Sequence, residues 1–177
     1  VQAGFSLRNS EVGSGALVVE PFVYRLECLN GMVVRQGVDA AGLRRRHVGQ
    51  RQVGDEAGVI YADDTVRADA QAMALKVRDA IRHFASAATW ARTVDVLREA
   101  VRSQRIERPQ AAVQQLGSLV GLTTPEQDEA LVRLIRSGDY SKWGAANAVT
   151  ALAHSARSYE RNAELQELGG RVIAMSR

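Results

Sequence analysis

The chain has 177 residues, 46% hydrophobic and 24% charged, which suits one domain with a real core and excludes disorder throughout. No stretch approaches the roughly 20 apolar residues that span a bilayer, and a single cysteine, Cys28, excludes an internal disulfide. A net charge of +3 and a pI near 9.4 make the chain mildly basic, and nearly all of the positive charge is arginine, since Lys76 and Lys142 are the only lysines.

The first residues, Val1-Gln2-Ala3-Gly4-Phe5, lack a basic segment leading into an apolar one, so no signal peptide is expected. With one thiol in an apolar run, a cytosolic or virion-interior setting is the natural reading.

Residues 1–62 read as β. Phe5-Ser6-Leu7-Arg8 alternates apolar and polar, the period of a half-buried strand. Gly13-Ser14-Gly15 supplies a turn, and a strand resumes at Ala16–Val19. Pro21 marks an edge, a bulge or a strand start. Phe22, Tyr24, Leu26 and Cys28 share one face of the next strand. Asn30-Gly31, flanked by Leu29 and Met32-Val33-Val34, predicts a hairpin turn. Leu43–Val53 reads as a further, unusually basic strand.

Near residue 62 the period changes. Val66, Ala70, Met73, Val77, Ile81, Phe84 and Ala88 form the apolar stripe of a long helix, capped by Asp64 or Thr65. A second helix is expected from Thr89, burying Trp90, Val94, Leu97 and Val101. Pro109 suits the first turn of a third, running towards Gly117 or Gly121. Thr124-Pro125-Glu126-Gln127 starts a fourth, ending near Gly138. Ser141 caps a fifth that carries Trp143, Ala146, Val149 and Leu152. The last begins near Tyr159 and breaks or ends at Gly169-Gly170. The predicted fold is α+β: an N-terminal antiparallel sheet of hairpins, a long helix, then a helical bundle. Residues 1–62 and 63–177 are two parts of one domain, because no Pro/Gly/Ser-rich linker separates them.

No motif for a cofactor or a metal is present. The histidines 47, 83 and 154 are too far apart in sequence for a local ligand pair. Gly13-Ser14-Gly15 precedes a strand, where a dinucleotide loop needs a helix. Ser14 lacks the strand–turn–helix context of a nucleophile elbow. Asp63-Asp64 are explained by the positive end of the helix they open.

The arginines remain. Arg44-Arg45-Arg46, with His47 and Arg51, is the densest basic run, and no acidic residue lies between Ala40 and Gln52. Such a run attracts phosphates. Arg67, Arg78 and Arg82 fall close together around the long helix at 100° per residue, and Arg98, Arg102 and Arg105 repeat the arrangement on the next. A solvated mixed-charge surface is the other reading of the helical set, because Asp79, Glu99 and Glu107 interleave with it.

Several segments carry a resemblance. Arg8-Asn9-Ser10-Glu11, the Gly-Ser-Gly-Ala-Leu that follows, Glu20-Pro21-Phe22, Tyr24-Arg25-Leu26, Cys28 and Asn30-Gly31-Met32 resemble the phage/plasmid-like family known as domain of unknown function 932. Trp143-Gly144-Ala145-Ala146-Asn147-Ala148-Val149-Thr150 is similar to that family's C-terminal signature. The resemblance implies a mobile-element setting and a leading segment before Val1; it implies no catalytic residue. Strands followed by a long helix also resemble, at the level of fold alone, phage single-strand annealing proteins of the Red-beta and RecT group.

The expected function is therefore nucleic-acid binding, with single-stranded DNA as the partner, in annealing or recombination. The expected contacts are Arg44, Arg45, Arg46, Arg51, Arg78 and Arg82. An alternative is a non-enzymatic structural protein that forms a homo-oligomer through an apolar seam of its helical half. An enzyme, which would have to assemble its site from distant residues, is the least favoured.

Overall fold

A central strand organises the N-terminal part of the computed structural model, which describes residues 2–8, 16–25, 30–34, 43–46 and 62–175. That strand, β2 (Ala16–Arg25), is antiparallel to β1 (Gln2–Arg8), β3 (Asn30–Val33) and β4 (Leu43–Arg46). β1 covers one edge of β2, from Val18 to Tyr24. β3 pairs with Phe22–Arg25 and β4 with Ala16–Val19. A strand has two edges, so β3 and β4 follow one another along the second, pointing the same way. Pro21, which has no N–H to donate, falls with Glu20 in the gap between them.

Two sequence expectations change here. Ala16–Val19 and the strand after Pro21 are one continuous ten-residue strand. Asn30-Gly31 is not the turn: both residues lie inside β3, opposite Arg25 and Tyr24. Gly31 has a packing reason instead. A Cβ there would lie 1.9 Å from Phe22 Cζ, so the bare backbone makes room for the ring. The proposed turn at Gly13-Ser14-Gly15, the end of the predicted basic strand (residues 47–53) and Cys28 lie outside the described residues.

The strand faces also differ from expectation. Val19, Val23 and Met32 are buried, while Phe22 and Tyr24 are only half-buried. In β1 the apolar face is the open one: Phe5 is 44% and Leu7 49% exposed.

Six α-helices follow among the described residues: α1 (Asp63–Phe84), α2 (Ala87–Val101), α3 (Pro109–Val120), α4 (Thr124–Ser137), α5 (Lys142–Ala151) and α6 (Tyr159–Ala174), with a 3₁₀ turn at Leu152–Ser155. The fold is thus α+β, as the change of period near residue 62 predicts. α1 packs against β1, β2 and β4, and α5 and α6 pack against β3. Its stripe is buried only at the end: Val66 is exposed, Met73, Val77 and Ile81 are half-buried, and Phe84 is buried. The helix stops at Phe84, and the Ser86 hydroxyl accepts the Thr89 N–H to cap α2, which starts at Ala87, two residues ahead of the expected Thr89. α2 buries Thr93, Leu97 and Ala100, while Val101 is exposed, so its core face is turned from the predicted one.

The caps of α3 to α5 follow the sequence closely. α3 ends at Gly121, which is left-handed (φ 82°), and α4 ends at Gly138 (φ 66°). The α4 cap is Thr123, one residue before the expected Thr124. Its backbone N–H and hydroxyl both donate to the Glu126 carboxylate, at 2.8 and 2.9 Å. Ser141 caps α5 by accepting the Gly144 N–H.

α5 is buried all round from Gly144 to Thr150 and forms the axis of the bundle, touching α2, α4, α6 and β3. The core joins Leu134, Leu152, Leu165 and Val172 to Val23 and Met32 of the sheet. Burying each such side chain is worth about 1.5–3 kcal/mol.

α6 corrects the last expectation: it runs through Gly169-Gly170 to Ala174. The two glycines mark close approach, not an end. A Cβ on Gly169 would meet Thr150 Cγ2 at 2.2 Å, and one on Gly170 would meet the Val33 carbonyl oxygen at 1.8 Å. α6 therefore lies against α5 on one side and against the β3 backbone on the other.

Candidate nucleic-acid interface

The basic run at 44–46 forms β4, the short strand beside the start of β2. Arg44, Arg45 and Arg46 stand opposite Val18, Leu17 and Ala16. The pleat places positions 44 and 46 on one face of the sheet and 45 on the other. Arg51 lies outside the described residues.

α1 supplies the second group. Its first half carries Asp63, Asp64, Arg67 and Asp69; its second half carries Lys76, Arg78, Arg82 and His83 against Asp79 alone. Charge is therefore segregated along the helix, with the basic end at its C-terminus, where cations suit the helix dipole. Arg78 donates to Asp79 from Nε (3.0 Å) and Nη2 (2.9 Å), with both side chains about half-exposed or more. Such a surface pair is worth at most about 1 kcal/mol and yields readily to a phosphate. Arg82 is exposed and forms no ion pair among the described residues. α1 packs against β4, so the strand of the basic run and the helix that carries Arg78 and Arg82 touch.

The arginines of α2 and its following loop are more committed. Arg98 pairs with Asp95 at 3.2 Å, not with the adjacent Glu99. The Arg105 guanidinium lies 4.8 Å from the Tyr140 ring centroid, a cation–π contact. Tyr140 and Trp143 pack against the core at the start of α5.

Two ionic clusters are invisible in the sequence. Arg8 of β1 reaches Glu20 at 2.5 Å and Glu167 of α6 at 2.6 Å, and so links the sheet to the last helix. Glu20 is almost fully buried. Burial opposes the charge on Arg8, but its bonds with Glu167 and Glu20 prevail and raise its pKa. The second cluster joins three helices. Arg161 donates to both oxygens of Glu126 (2.8 and 2.6 Å), to Glu164 (2.5 Å) and to the Gly121 carbonyl (3.1 Å). The Arg161 bond, aided by the Thr123 donors, holds the Glu126 carboxyl at about 2 against the opposing effect of burial. The Glu126 bond in turn raises Arg161. A cleft of about 660 Å³ opens beside this cluster, lined in part by Thr123, Leu152, Ser158 and Leu165. Arg161 and Glu164 stand three apart on α6, but only the fold brings Glu126 to Arg161 and brings Glu20 and Glu167 to Arg8.

Among the described residues no three His, Cys, Asp or Glu side chains gather as a metal site, and every buried side-chain nitrogen or oxygen has a partner. None of the described helices is long and apolar enough to cross a membrane. Comparison with known proteins adds no relative: no family model, no curated protein and no solved structure matches the chain.

Proposed function

We propose that the chain binds single-stranded nucleic acid through arginine–phosphate contacts made by β4 and the C-terminal half of α1. The observation that supports this reading is the packing of α1 against β4, which brings the strand bearing Arg44, Arg45 and Arg46 against the helix that bears Arg78 and Arg82. Arg51, five residues beyond β4, extends the same basic segment. Contacts to phosphate carry no sequence information, so preference among sequences is weak. The likeness to the phage and plasmid family adds a setting to the proposal: the bacterial cytoplasm, in annealing or recombination of a mobile element.

The test is a fluorescence-anisotropy titration of a labelled single-stranded oligonucleotide. Six phosphate contacts give a slope of roughly −4 for log K against log salt, which is a few hundredfold between about 50 and 200 mM. Replacing Arg44, Arg45 and Arg46 together with Gln lowers the slope by roughly 2. Absence of binding at low salt, binding that ignores salt, or a triple variant that binds like the parent refutes the proposal.

A further inference from the structure

A cavity of about 290 Å³ opens among the loop after α2, α3, the start of α5 and the end of α6. Its walls are mainly aliphatic, with Ile106, Ala112, Leu116, Val172 and Met175 among them, and no aromatic ring lines it. Lys142 is the only charged residue on the walls, and no carboxylate lines the cavity. Among the described residues Lys142 forms no ion pair. Its ammonium donates to the Met175 carbonyl oxygen at 2.6 Å, which engages one of its three protons and fixes where the charge stands. Ser103 lines the same cavity. Its hydroxyl oxygen accepts the Lys142 backbone N–H at 2.7 Å, and its own proton meets no acceptor among the described residues. Two ammonium protons and one hydroxyl proton are thus left over beside hydrocarbon walls.

We propose that this cavity binds an aliphatic monocarboxylate. The carboxylate pairs with the Lys142 ammonium, with Ser103 as a second donor on the same wall, and the tail lies against Ile106, Leu116 and Val172. The occupant is argued from complementarity: a lone cation with surplus donors calls for an anion, and aliphatic walls call for an unbranched tail with no ring to stack. A phosphate head group suits the forked guanidinium better. Arginine supplies nearly all of this chain's positive charge, yet none lines the cavity. The volume lies at the small end of ligand sites, which run from about 300 to 1,000 Å³, so it suits one short tail. The proposal is independent of nucleic-acid binding.

The experiment is isothermal titration calorimetry of the full chain with octanoate. One site is expected, with a dissociation constant on the order of 100 μM or tighter. Each methylene removed from the tail weakens binding about fourfold, so hexanoate binds about fifteenfold more weakly. Octanol, which has the same tail and no charge, binds at least about tenfold more weakly than octanoate. Lys142→Met keeps the length of the side chain and removes its charge; it weakens octanoate by at least about tenfold and leaves octanol unchanged. Ala112→Leu fills the cavity and keeps Lys142, so both ligands weaken together. Circular dichroism checks that each variant folds, and the ligand series on the parent chain tests the site without any variant. No binding of octanoate, an affinity that ignores tail length, octanol or octyl phosphate binding as tightly as octanoate, or a folded Lys142→Met chain that binds octanoate like the parent overturns the proposal.

Discussion

Gly170→Ala offers the sharpest test of how α6 is seated. In an ordinary helix interior this change stabilises, because alanine is favoured over glycine by about 1 kcal/mol. Here the new methyl would lie 1.8 Å from the Val33 oxygen and 2.9 Å from its carbonyl carbon. Ordinary contact begins near 3.4 Å, so helix and strand must part by about 1.6 Å. The obstacle is backbone, which cannot swing aside as a side chain does. α6 also carries Leu165, Leu168, Val172 and Ile173 into the core, so displacing it loosens them all. Overpacking of this kind costs about 3 kcal/mol or somewhat more, and the propensity gain leaves a net loss of about 2 kcal/mol. Urea unfolding followed by circular dichroism reads this as a midpoint lowered by about 1 M, with the slope unchanged. A Gly170→Ala protein as stable as the parent, or more so, would refute the close approach of α6 to β3.

Gly138→Ala tests a different cause. Nothing lies within 4 Å of a Cβ there, but φ is 66°. A loss of about 1 kcal/mol is expected from the left-handed backbone alone, and Gly138→Asn should recover part of it; both are read from thermal midpoints. The Glu126–Arg161 pair predicts a pH dependence. Folding lowers the Glu126 pKa from the ordinary 4.5 to about 2, so the unfolded chain takes up the proton first as pH falls. The stabilisation is complete above pH 4.5 and disappears as pH descends through 2. Water at the rim of the cluster reduces it to about 1–2 kcal/mol. Arg161→Ala should therefore lose most at pH 6 and converge on the parent near pH 2, in paired urea titrations. A gap between the two proteins that does not change with pH would show that the ion pair is not the cause.

The elements most legible in the sequence were those with local causes. The serine at 141, the prolines at 109 and 125 and the glycines at 121 and 138 each act within one turn, and the helix boundaries fall within a residue or two of where they point. What stayed hidden depended on partners distant in sequence. Gly31, Gly169 and Gly170 look like turn or stop signals, but each is glycine because a ring, a side chain or another strand's backbone occupies the space of a Cβ. The exposed faces of β1 and α1 invert or dilute a clean apolar period, which says that a face exists but not what covers it. Of the basic positions, the sequence gives the run at 44–46 and the stripe with Arg78 and Arg82. Only the fold makes β4 and α1 neighbours, and only tertiary contact gives Arg8 its two carboxylates and Arg161 that of Glu126.

The tandem arrangement of β3 and β4 carries one more consequence. Val33 stands opposite Phe22 and Leu43 opposite Val19, so β4 begins only three steps beyond the end of β3 along the same rail. A bridge of two residues would span that roughly 10 Å, yet nine residues connect them. The link between β3 and β4 is thus longer than the sheet requires, although Val34, its first residue, is held by the core.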